Sequence, residues 1–94
     1  MKEMDLTSAI QETIDRVRRM ERYFDTLLQI WHSNPQLIYE EGPVRDMLRT
    51  LMDYYENGQW MEDYQLDEQG ALPADLKRGI LSEDALYDFF SEME

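Results

Sequence analysis

The chain has no cysteine. That excludes disulfides, thiol catalysis and thiolate metal ligands, and it fits a reducing compartment. Histidine occurs once, at His32. A nucleophile–base–acid arrangement would have to be built around that residue, and no nucleophile motif such as G-x-S-x-G is present. No apolar run approaches the roughly 18 residues of a membrane span. The opening "MKEMDLTSAIQETIDRV" lacks the apolar core of a signal peptide. These absences point to a cytoplasmic protein. Positive charge is also scarce, with 9 Lys and Arg against 21 Asp and Glu, a net charge of −12. Residues 1–52 hold 9 acids against 7 bases, whereas residues 53–94 hold 12 against 2. So acidic a surface repels phosphate, which disfavours direct DNA or RNA binding and anionic membranes. It suits a protein partner with a basic surface.

What remains is a 94-residue chain, 43% hydrophobic with 11 aromatics, enough for one small domain over residues 1–94. Ser8 and Gln11 have the spacing of a capping box. From there Ile10, Ile14, Val17, Met20, Phe24, Leu27, Leu28 and Trp31 recur in steps of three and four, which predicts helix one over 8–32. Pro35 and Gly42-Pro43 interrupt the chain. Val44, Met47, Leu48, Leu51, Met52 and Tyr55 then predict helix two over 43–56, stopped by Asn57-Gly58. Residues 57–81 alternate apolar and acidic side chains and read as irregular, with a turn at Asp67–Gly70 and one helical turn between Pro73 and Gly79. Ser82 reads as the cap of helix three, 82–93, with Glu83 and Asp84 in its first turn and Leu81 and Leu86 as a hydrophobic staple.

The expected fold is all-α. A long helix packs antiparallel on an interrupted second helix, with an irregular acidic segment and a short C-terminal helix closing the end. Apolar residues running to the end of so long a helix leave a homodimer open.

The stretch "YYENGQWMEDYQLDEQGALPADLKRGILSEDALYDFF", residues 54–90, resembles the C-terminal signature of a small bacterial family of unknown function, family 4298. The resemblance rests on Tyr54, Tyr55, Trp60, Asp63, Asp67 to Gly70, Leu72, Pro73, Asp75 to Gly79, Leu81 to Asp84, Tyr87 and Asp88. It implies a bacterial or phage origin. It brings no activity and no catalytic residue.

Lys77 and Arg78 are the only bases after Arg49. They read as counter-charges to Asp63, Asp67, Glu68 and Asp75 in a network with Trp60 and Ser82, because a guanidinium bridges carboxylates with planar geometry. The alternative is an anion or partner site. A calcium loop starting at Asp63 fails, since its sixth position is Glu68 rather than Gly and its twelfth is Ala74 rather than Glu. No metal or cofactor site is therefore assigned. Arg16, Arg18, Arg19 and Arg22 form the one basic cluster, on helix one, with Arg19 placed to pair with Asp15. The chain reads as no enzyme. Its expected role is a non-catalytic acidic interaction module presenting Asp53, Glu56, Glu62, Asp63, Asp67 and Glu68. The alternative is a nucleic-acid mimic that blocks a basic groove, as phage inhibitors of host defence nucleases do.

Overall fold

In the computed structural model the described residues are 6–93; residues 1–5 and 94 of the expected single domain lie outside them. The apolar stripe of the N-terminal half builds α1, Leu6–Ser33, 28 residues long. At 1.5 Å per residue that is about 42 Å, most of the molecule's 51 Å long axis. A one-turn helix α2, Gln36–Tyr39, reverses the chain, and α3, Pro43–Glu56, runs back along α1. Gly58, at φ 91°, separates α3 from α4, Gln59–Glu68. A strap, residues 69–82, then crosses to α1 and contains a 3₁₀ turn at Gly79–Leu81. α5, Ala85–Met93, completes the fold beside the C-terminal half of α1, where Phe24 and Phe89 meet edge to face at 5.4 Å. The described residues contain no strand, and the fold is all-α.

One continuous core joins Val17, Leu27, Ile38, Leu51, Ile80 and Leu86, each at most 1% exposed. Helix two falls where the spacing places it, and helix one is longer by two residues at its start and one at its end. Four sequence expectations are corrected. Residues 59–68 are helical, not irregular. Their two buried positions are Trp60 and Asp63, and a carboxylate on the inner face hides the helix from a search for apolar spacing. Ser8 lies inside α1 rather than at its cap, and Gln11 reaches forward to Asp15 at 3.0 Å, where Arg19 was expected. Helix three begins at Ala85, with Asp88 N–H donating to the Asp84 carbonyl. Ser82 instead closes the 3₁₀ turn, its N–H donating to Gly79. The stretch from Pro73 is a single turn, Leu76 N–H to the Pro73 carbonyl, and Gly79 opens the 3₁₀ turn rather than ending a helix.

No described helix is long and apolar enough to cross a membrane.

Candidate functional site

The acids of the C-terminal half divide into two groups by what they touch. Asp63 is wholly buried. Its carboxylate accepts two hydrogen bonds from Arg16, at 2.9 and 2.7 Å, and one from the Tyr54 hydroxyl at 2.8 Å. A charge removed from water is tolerated only when paired and hydrogen-bonded, and this fork supplies both. The pairing holds the Arg16 guanidinium above its ordinary pKa, chiefly through the hydrogen bonds it donates to Asp63. Tyr54 is also raised, first by burial and then by the negative charge of Asp63. Asp67 is half-buried and accepts from Arg78, which also donates to the Pro73 and Leu76 carbonyls. Asp63 and Asp67 are thus spent inside the fold. Asp63 presents nothing to a partner, contrary to the sequence expectation.

The other four candidates, Asp53, Glu56, Glu62 and Glu68, are exposed, and no ion pair joins any of them to a Lys or Arg among the described residues. Asp53 accepts from Asn57 and Glu62 from Gln59, both within one turn. Asp53 and Glu62 share a cleft of about 320 Å³ between α1, α3 and α4, with Arg16, Arg19, Thr50 and Gln59 on its walls. Glu56 and Glu68 lie outside that cleft.

Of the expected counter-charge network the Arg78–Asp67 pair forms, whereas Lys77 takes different partners. Arg78 stays within its own segment. Lys77 crosses to α1 and bonds Asp25 at 2.5 Å, with Glu21 at 4.0 Å; the Asp25 hydrogen bond and then its charge raise the Lys77 pKa. Asp75 is exposed and joins none of these contacts. Trp60 donates from Nε1 to the Ile80 carbonyl at 2.6 Å, while Ile80 N–H donates to Glu21 at 3.0 Å. Both polar groups of one buried residue are therefore taken by side chains from α4 and α1. A Cβ at Gly79 would stand 3.1 Å from Glu21 Oε2, so a side chain there requires the carboxylate to shift by a few tenths of an ångström. Among the described residues no buried side-chain N or O lacks a partner.

Arg16, Glu21, Asp25 and Tyr54 are the members that sequence reasoning missed. Glu21 had a signal. It lies four residues after Val17 and three before Phe24, a carboxylate on the apolar stripe of α1. Arg16 is drawn out of the basic cluster, leaving Arg18 and Arg22 with Lys77 around a separate hollow of about 250 Å³. Among the described residues no three His, Asp or Glu side chains converge as around a metal ion.

The raised Tyr54 phenol has a pH consequence. Its proton is held more tightly folded than unfolded, where the phenol titrates near pH 10. The associated stability is fully present below about pH 10 and is lost as pH rises beyond it. Thermal melts are expected to fall from pH 9 to 11 by more than those of Tyr54→Phe, which removes the titrating group. Equal declines in the two proteins would refute the assignment.

The family model described as Domain of unknown function (DUF4298) matches residues 8–94, well beyond the C-terminal signature. No curated protein and no solved structure matches.

Proposed function

We propose, for a chain that belongs to the DUF4298 family, a non-catalytic role in which its acidic surface binds a protein partner of opposite charge. The supporting observation is the division of the acids. The fold neutralises Asp63 and Asp67 internally and leaves Asp53, Glu56, Glu62 and Glu68 exposed and outside any ion pair among the described residues. Uncompensated carboxylates on rigid helices accelerate encounter with a basic surface and exclude acidic competitors. Interaction takes place at the surface of α3 and α4, and the buried fork beneath holds those helices in place.

The test is a fourfold reversal, Asp53→Lys, Glu56→Lys, Glu62→Lys and Glu68→Lys, compared with the parent in capture from host lysate and in titration with a lysine-rich peptide. Loss of the captured proteins, a peptide affinity at least about tenfold weaker and a flatter salt dependence are expected. Capture of the same proteins by both forms would sink the proposal.

The elongated 51 × 24 × 22 Å outline favours one second reading. A rod with acids along it occupies a nucleic-acid-binding groove, and DNA or RNA then displaces the chain from its partner in competition.

A further inference from the structure

A second feature stands apart from the acidic face. Between α2, α3 and α5 lies a cavity of about 260 Å³, walled by Ile38, Leu48, Met52, Phe90 and Met93. One end is tied by Tyr39, whose hydroxyl donates to the Met93 carbonyl at 3.1 Å. Against this apolar wall sits one charged group, Arg45. Its side chain is half-buried, and its contact within the fold is a 3.1 Å hydrogen bond from Nη1 to the Ile38 carbonyl. No described carboxylate lies within ion-pair distance of it. The contrast with its neighbour Arg49 is sharp, since that residue is flanked by Glu41 and Asp46. Among the described residues Arg45 thus lines an apolar hollow with a neutral acceptor and no carboxylate, which suits a negatively charged head group.

We infer that this cavity binds a short aliphatic monocarboxylate, its chain against Leu48, Met52 and Phe90 and its head group on Arg45. Each part of the ligand follows from the walls. Arg45 retains donors beyond the one given to Ile38, arranged for the planar fork of a carboxylate. The apolar wall calls for an aliphatic body, and the two methionines adapt to an unbranched chain. The volume lies just under the roughly 300–1,000 Å³ of drug-sized sites, which limits that body to a short chain. A single negative charge is repelled least by the surrounding surface of net charge −12.

The probe is sodium octanoate, titrated into the whole chain by calorimetry and followed on the methyl NMR signals of Ile38, Leu48, Met52 and Met93. Saturable binding with shifts confined to those methyls is expected. Hexanoate binds about fifteenfold more weakly, because each buried methylene is worth about fourfold in affinity. Octan-1-ol binds at least about tenfold more weakly, because it cannot form the charge-assisted pair with Arg45. Arg45→Gln lowers octanoate affinity about tenfold and leaves octan-1-ol unchanged, whereas Arg45→Lys keeps a preference for the acid. Octanoate that does not saturate, octan-1-ol binding as tightly as octanoate, or shifts spread over the surface would each overturn the assignment. So would an Arg45→Lys protein that is folded by circular dichroism yet prefers the alcohol.

Discussion

Replacing Arg16 with methionine is expected to cost about 4 kcal/mol, a large share of the 5–15 kcal/mol that holds a domain together. The substitution keeps the aliphatic stem and removes the cation. It leaves the Asp63 carboxylate wholly buried, with the Tyr54 hydroxyl and a long contact to Gln59 as its remaining donors. Asp63→Asn is expected to cost less, about 2 kcal/mol. It strands Arg16 rather than Asp63, and the Arg16 side chain is 24% exposed where that of Asp63 is 0%, so water reaches the orphaned cation. The order of the two costs, more than either value, tests the reading. Urea unfolding followed by circular dichroism gives both, and Arg16→Met should lower the melting temperature by roughly 20 °C in a domain of this size. The double replacement Arg16→Met with Asp63→Leu removes both charges and should recover part of the loss. If Arg16→Met shifts stability by less than about 1 kcal/mol, the fork is not what fixes α4 on α1.

Trp60→Ala is the second large effect, expected at about 3–5 kcal/mol, the range for emptying a buried aromatic site. Trp60 is 6% exposed, lies 5.1 Å from the Tyr64 ring in a stacked pair and meets Tyr55 at 5.3 Å. Its indole N–H also satisfies the Ile80 carbonyl. Trp60→Phe separates the two contributions. It keeps an aromatic ring and leaves that carbonyl without its donor, at a cost of about 1–3 kcal/mol. The adjacent Met61, 46% exposed, is the internal control: Met61→Ala should lie within about 0.5 kcal/mol of the parent. Equal effects at 60 and 61 would contradict the helical register of α4.

Both predictions concern α4, the element least legible in the sequence. α1 and α3 could be read because each buries a continuous apolar stripe, and stripes are what periodicity detects. α4 buries a tryptophan and a carboxylate, and its partner Arg16 lies 47 residues away in the chain. Nothing local distinguishes that aspartate from the exposed acids around it. The same blindness explains Lys77. A base surrounded in sequence by acids was assigned to them, yet its partners are Asp25 and Glu21, more than 50 residues distant. Arg78 was legible because its partner Asp67 is within the same segment. For the candidate surface, composition identified an acidic half, and burial alone sorted the acids that face solvent from those that hold the helices together.

The strap has a consequence for proteolysis. Lys77-Arg78 is a dibasic sequence in a stretch without regular helix, and such a segment ordinarily invites trypsin. Here both cationic heads are occupied, the Arg78 carbonyl accepts Leu81 N–H at 2.9 Å, and both polar groups of Ile80 are held by Glu21 and Trp60. An enzyme that binds its substrate as an extended strand must wait for these bonds to release together. Cleavage there therefore keeps time for the opening of the strap, and the chain carries its own clock for local unfolding.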